Sequence, residues 1–336
     1  MEVVTYHRTI AVSESSQPSA ARFLTREIAE AAGLGPDDSY RAGLVATELG
    51  TNLVKHAKDG EMLVRPISGS PRGEVEIIAI DRGPGMADVS RSMTDGHSTS
   101  GTSGTGLGAI RRLADDFDIY SEPGRGSIVY VRLRAGRAPA SNGHAMRVGA
   151  VSVPKTGEEV CGDGWTIRHG VHGVSALLVD GLGHGMFAAE AATAARAVFA
   201  RQRFADASHA LQAVHDGIRH TRGAAGAILD VDHEQGTARF AGIGNVSCAI
   251  VQQGVARQAV SNNGTLGHQA RHFREYTYPW SDDASFVMHS DGLNSHWSLD
   301  GYHGLGMRHP TLIAAVLYRD FTRHRDDVTV LVGRRA

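Results

Sequence analysis

Lysine is nearly absent from this chain. It occurs only at positions 55, 58 and 155 of 336 residues, so almost all positive charge is arginine, a bias that a GC-rich genome accounts for without a binding role. Cysteine is scarce as well. Cys161 and Cys248 alone cannot build a disulfide framework, and a reducing cytoplasm is expected. No stretch reaches the ~18 apolar residues that span a bilayer. The opening MEVVTYHRTIAV has no basic flank before an apolar run, so no secretory signal is expected. There is no excess of one charge: 34 basic against 36 acidic side chains leave −2, which excludes partners that demand a charged surface, such as nucleic acid or an anionic membrane. The 18 histidines show no metal-ligand spacing on a convincing helix.

What the chain does have is glycine, 41 residues in short clusters, which mark tight turns and backbone sites rather than a flexible tract. Its length fits two domains. A small, polar, Pro- and Gly-containing stretch over 136–147 reads as a linker, dividing a first domain over 1–135 from a second over 148–336. The fold class expected is α+β in both. In the first half, helices are expected over 20–32 and 39–57, the second capped by Asp37 or Asp38. Strands follow over 61–66 and 74–81, then a helix over 108–117 and strands over 117–121 and 127–134.

Three features of the first half come in a fixed order. Glu48-Leu-Gly-Thr-Asn52 sets a carboxylate and an amide four residues apart on one helix face. Such a carboxylate can orient or deprotonate a hydroxyl, and such an amide oxygen can ligate Mg²⁺. Asp81-Arg-Gly-Pro-Gly85 follows the apolar run VEIIAI, leaving room beside an acid for a planar ligand whose amino group donates to it. Gly101-Thr-Ser-Gly104-Thr-Gly106-Leu107-Gly108 opens a helix, where backbone amides suit phosphate. No Lys-Ser/Thr follows, so this is not a Walker A loop.

Taken singly, each motif is cheap: a solvated helix face, a turn, a glycine-rich loop. As an ordered set they resemble the N, G1 and G2 boxes of the GHKL (histidine-kinase-like) ATPase superfamily. GTGLGAIRRLADDFDIYSEPGRGSIVYV is similar to the serine-protein kinases of bacterial stress and sporulation switches. The resemblance implies ATP with Mg²⁺, Glu48 as catalytic base and Asn52 as Mg²⁺ ligand. It further implies Asp81 on the adenine amino group, Gly83, Gly85, Gly104, Gly106, Leu107 and Gly108 around the nucleotide, and 88–103 as a lid.

In the second half aspartates recur beside glycine at the ends of apolar runs: Asp163 in CGDGW, Asp180 in ALLVDGLGHG, Asp291 in SFVMHSDGL, and Asp326-Asp327 before VTVLV. Carboxylates gathered without Lys or Arg repel one another unless a cation intervenes. Hard divalent ions with oxygen ligands are the natural solution, and they can make water a nucleophile. CGDG, DGLGHG, GIGNVSCAIV, NNGTLG and SDGL resemble the PPM (type 2C) phosphatases of the SpoIIE branch. This implies a β-sandwich flanked by helices and two Mn²⁺ or Mg²⁺ ions. Asp180 and the Gly181 carbonyl would bind both ions, Asp163 would support them through water, and Asp291 and Asp326 would be ligands, with the role of Asp327 open. His184 is expected to shape its turn and Asn245 to be structural.

The two resemblances together imply a bifunctional switch that phosphorylates a STAS-domain antagonist and removes phosphate from the same or a related protein, with a sigma factor or other downstream regulator as a further partner. The alternative is an ATP-binding module that sequesters its partner without kinase turnover, joined to an active phosphatase.

Overall fold

A computed structural model describes residues 5–67, 73–93, 106–137, 145–201 and 204–336. The chain divides into two compact units, Met1–Asn142 with Tyr302–Arg308, and Gly143–Gly301 with His309–Ala336. Of the expected linker, 138–144 lies outside the described residues, and the first strand of the second unit begins at Met146.

The first unit runs β1 (Arg8–Ala11), α1 (Gln17–Ala31), α2 (Pro36–His56), β2 (Glu61–Pro66), β3 (Glu74–Ile80), α3 (Val89–Ser92), α4 (Gly106–Leu113), β4 (Asp116–Glu122) and β5 (Gly126–Arg134). Its five strands form one antiparallel sheet in the order β1-β2-β3-β5-β4. The reason α2 forms is legible in its spacing. Ala42, Val45, Ala46, Leu49 and Leu53 recur every three or four residues and are buried, packing with Val75, Ile77, Val129 and Val131 of the sheet. Asp37 and Asp38 do not cap this helix. Pro36 occupies its first turn, which moves the cap back to Gly35; Asp38 instead accepts from Arg41 Nη2 at 2.9 Å and from the Gly136 amide at 2.7 Å. The helix expected over 108–117 ends at Leu113, because the Asp115 amide joins the Arg132 carbonyl and β4 begins at the next residue.

An ionic cluster crosses the middle of this sheet. Glu76 on β3 stands opposite Arg65 on β2 and Arg132 on β5. Its carboxylate accepts from Arg65 Nε at 2.6 Å, from Arg132 Nη2 at 3.3 Å and lies 3.3 Å from His7 Nε2, with Glu76 and His7 fully buried.

The second unit is a helix-flanked sandwich. It runs β6 (Met146–Val153), β7 (Asp163–His169), β8 (Gly173–Gly181), α5 (Met186–Arg201), α6 (Ala207–Gly217), β9 (Ala224–Asp232), β10 (Thr237–Ile243), β11 (Ser247–Gln252), β12 (Val255–Gln258), β13 (Tyr276–Pro279), β14 (Ser285–His289), α7 (Pro310–Phe321) and β15 (Val328–Arg335). One sheet has the order β13-β10-β9-β8-β7 and the other β12-β11-β14-β15-β6. Alternate residues of both, among them Leu178, Leu229, Phe240, Cys248, Phe286 and Leu331, fill the space between the sheets. Helices α5 and α6 cover the first sheet, and α7 packs on β6 and β15 of the second. This is the αββα order expected. Among the described residues no helix is long and apolar enough to cross a membrane.

Candidate functional site

In the first unit, Glu48 and Asn52 lie half-buried on α2, and both face the start of α4. A methyl group placed on Gly106 would sit 3.3 Å from Asn52 Oδ1 and 3.6 Å from Glu48 Oε2. The first residue of the helix that follows the glycine-rich loop thus stands next to the carboxylate–amide pair, where a side chain would come into contact with both. Leu107 packs on the core and Gly108 is buried in α4. Gly104 and 94–103 of the expected lid lie outside the described residues. The described part of that lid, 88–93, carries the short helix α3, capped by Asp88, whose Oδ1 accepts from the Arg91 amide at 3.0 Å.

Asp81 follows the end of β3. Its Oδ1 accepts from the Gly83 amide at 2.6 Å, which fixes the carboxylate on the turn. Gly85 has φ +68, and a Cβ there would fall 2.1 Å from the Glu122 carbonyl, so that position tolerates no side chain. The turn is further tied by the Met86 amide to Ser121 Oγ at 2.7 Å. Sequence reading found the acid and the glycines; the serine that pins the turn was not legible.

In the second unit the acids come together at one end of the sandwich. Asp163, at the start of β7, and Asp180, near the end of β8, are directly opposed in the strand register. Asp163 is buried; its Oδ2 accepts from Ser290 Oγ at 2.6 Å, while its Oδ1 is buried without a hydrogen-bond partner among the described residues. Burial, then the charges of Asp163, Asp291, Asp326 and Asp327, push the Asp180 carboxyl well above its ordinary range. Burial, with Asp327 and Asp291, does the same to Asp163, against the hydrogen bond from Ser290. Asp291 is raised by burial and by Asp326. Asp327 is raised chiefly by burial, although the Lys155 amide donates to its Oδ1 at 2.8 Å. Asp326 is exposed at the mouth, and its Oδ1 accepts from the Asp327 amide at 3.0 Å.

The backbone around these acids is crowded by design of the glycines. A Cβ on Gly181 would fall 2.2 Å from the Ala188 carbonyl, where α5 begins, and one on Gly292 would fall 2.0 Å from the Asp327 carbonyl. The Gly181 amide donates to Gly162 at 3.1 Å. His184 lies in the turn, its Nδ1 2.6 Å from Glu158 Oε1. Asn245 does more than end a strand: its Nδ2 donates to Asp291 Oδ2 at 2.7 Å and aims that carboxylate. Ser290 was missed altogether, since a serine before an aspartate carries no signal in sequence.

The donor set is all oxygen, which suits magnesium or manganese. Among the described residues no three His, Cys, Asp or Glu side chains are gathered into a closed metal cage. The unpartnered Asp163 oxygen and the mutually raised carboxyls fit a cation between them.

The folds and these two sites define a histidine kinase-like ATPase joined to a phosphatase of the PPM type. The chain belongs to the histidine kinase-like ATPase domain family, whose model matches residues 12–133, and residues 170–336 match the model of the stage II sporulation protein E (SpoIIE) family. It is 37% identical over 108 residues to the serine/threonine-protein kinase RsbT of Bacillus subtilis (strain 168), a match covering 32% of this chain and 81% of RsbT. It is 24% identical over 141 residues to the phosphoserine phosphatase RsbX of the same organism, covering 42% of this chain and 71% of RsbX. Among solved structures, one described as "The bacterial stressosome: a modular system that has been adapted to control secondary messenger signaling" matches 56% of this chain and 99% of its own at 27% identity and TM-score 0.52. A structure of RsbX in complex with magnesium matches 58% of this chain and 98% of its own at 22% identity and TM-score 0.51, a likeness of fold. A histidine kinase-like ATPase domain implies ATP, and PPM phosphatases use Mg²⁺ or Mn²⁺.

Proposed function

We propose that this chain is a bifunctional cytoplasmic switch protein of partner-switching signalling. Residues 1–135 would phosphorylate a serine or threonine of a STAS-domain antagonist from Mg-ATP, and residues 148–336 would hydrolyse phosphoserine or phosphothreonine on the same or a related protein. A sigma factor or other downstream regulator is the further partner. The observation that carries the phosphatase half is the opposed pair Asp163 and Asp180, each with further aspartates as charged neighbours. The similarity to the phosphoserine phosphatase RsbX supports that reading.

Asp180, Asp291, Asp326 and the Gly181 carbonyl would hold two Mn²⁺ or Mg²⁺ ions, with Asp163 supporting them through water. Bound there, such ions polarise a phosphoryl group and supply a nucleophilic water at neutral pH. The protein's own part is to aim the acids: Asn245 orients Asp291 and Ser290 orients Asp163. In the first unit Glu48 would accept or orient the proton of the acceptor hydroxyl, and Asn52 would hold Mg²⁺ on the nucleotide. Asp81 would meet the adenine amino group, while Gly83, Gly85, Gly104, Gly106, Leu107 and Gly108 leave room for the bound ATP. The support for this half is the gap at Gly106, bordered by both Glu48 and Asn52.

The test is phosphate transfer from Mg-ATP or Mn-ATP to the STAS-domain proteins of the source organism, with wild type, Glu48→Ala and Asp180→Ala. Phosphoprotein should accumulate higher with Asp180→Ala and vanish with Glu48→Ala. Clearance of a pre-phosphorylated STAS protein with no labelling by any variant would remove the kinase and leave an ATP-binding module.

A further inference from the structure

A second cleft in the C-terminal unit is the electrostatic opposite of the acid cluster. It has a volume of about 770 Å³ and opens in the segment between β12 and β13, lined by Arg271, Arg274, His268 and His272, with Asn262 and Gln269 between them. No carboxylate lines it. The one acid in 261–275, Glu275, is turned away, its Oε2 accepting from the Ala207 amide at the start of α6 at 2.8 Å. Arg271 and Arg274 are exposed and make no ion pair among the described residues. Asn262 Nδ2 is a buried donor with no partner among the described residues. Two guanidinium groups and an unused amide donor are thus displayed together, a set that recognises an oxyanion, carboxylate or phosphate. With the phosphoryl group of a substrate assigned to the acid cluster, the carboxylates of flanking residues are what this cleft is left to take.

The backbone ties this cleft to the acid cluster from two sides. Leu266 bridges Ala224, which pairs with Gly181, the neighbour of Asp180. On the other side Gly244 donates its amide to the Asn262 carbonyl at 2.9 Å, and the next residue, Asn245, holds Asp291. A polypeptide whose phosphorylated residue lies at the acids would therefore run its flanking residues across the cleft. We propose that this cleft binds an acidic, Asp- or Glu-bearing stretch of the phosphoprotein substrate, beside its phosphorylated residue, and so sets substrate choice. The assignment rests on the phosphatase reading of the acid cluster. An acidic peptide is favoured over nucleic acid because no Phe, Tyr or Trp lines the cleft as a stacking platform for bases; Phe273 packs against the core instead.

The test uses two fluorescent phosphoserine peptides of equal length, one flanked by Asp and Glu and one by Gly and Ser, and the full chain carrying Asp180→Asn to prevent turnover. Fluorescence anisotropy should show the acidic peptide bound at least tenfold tighter. Adding Arg271→Glu with Arg274→Glu should erase that difference, whereas Arg271→Lys with Arg274→Lys should retain most of it. In the wild-type background the charge-reversed pair should leave hydrolysis of a small aryl phosphate with Mn²⁺ unchanged. Equal affinity for the two peptides, a preference that survives charge reversal, or tighter binding of a single-stranded oligonucleotide lost on charge reversal would overturn the proposal. Absence of aryl phosphate hydrolysis by wild type would defeat the phosphatase reading by itself, with the charge dependence of binding still legible.

Discussion

Two buried acidic sites, one in each unit, meet opposite fates. Glu76 is fully buried, and burial alone would raise its pKa. Yet Arg65, the contact with His7 and Arg132 hold it well below the ordinary carboxylate range. Asp163 and Asp180 are also withdrawn from water, but their neighbours are other acids, and they are pushed up. The difference is what surrounds the carboxylate. Where cations stand directly opposite in the strand register, the acid is already compensated and serves the sheet. Where acids face acids, compensation must come from outside the chain, and that need is what singles out the candidate site.

The contrast can be broken at its strongest point first. Glu76→Ala should destabilise the first unit by about 3–5 kcal/mol, because it removes the buried carboxylate that compensates the Arg65 guanidinium directly opposite it; urea unfolding followed by circular dichroism reads this, and a loss under ~1 kcal/mol would sink the comparison. Gly85→Ala should cost on the order of 1–3 kcal/mol, since it forces a strained φ into a carbonyl, and it should weaken ATP binding measured by calorimetry. Asn245→Ala should raise the Mn²⁺ concentration for half-maximal phosphatase activity by roughly 10–100-fold, as removal of a group that aims a ligand does. Asp163→Asn should work the other way from Glu76→Ala and stabilise the metal-free protein by on the order of 1 kcal/mol, the worth of a one-unit pKa shift; a lower urea midpoint without metal would contradict it.

A pH titration sharpens the same contrast. Because the folded pKa of Glu76 is depressed, its stabilisation is fully present above the unfolded value of about 4.3 and is lost as pH falls through the folded value. Glu76→Gln should therefore flatten the stability profile below pH ~4, and an unchanged acid slope would show that other groups control it.

Much of this molecule could be read from the chain. The spacing of Ala42, Val45, Ala46, Leu49 and Leu53 fixed the second helix, because burial of one face imposes a period, and the short apolar runs in VEIIAI and SIVYVRLR fixed two strands, which are buried along most of their length. The acids Asp163, Asp180, Asp291 and Asp326 were visible because each sits beside a Gly-marked turn or next to an apolar strand. Asp37 and Asp38 misled, because a proline one residue earlier took the helix start. Ser290 and Ser121 stayed hidden, and Asn245 was expected to be structural without its partner Asp291, since these roles depend on partners 35 to 127 residues away.

The sequence by itself determined two α+β halves, their glycine turns and the acids at strand ends, since these follow from local period and backbone freedom. Only the tertiary structure decided which acid faces a guanidinium and which faces another acid. Charge compensation is a property of strand register and distance, and neither can be read from the order of residues.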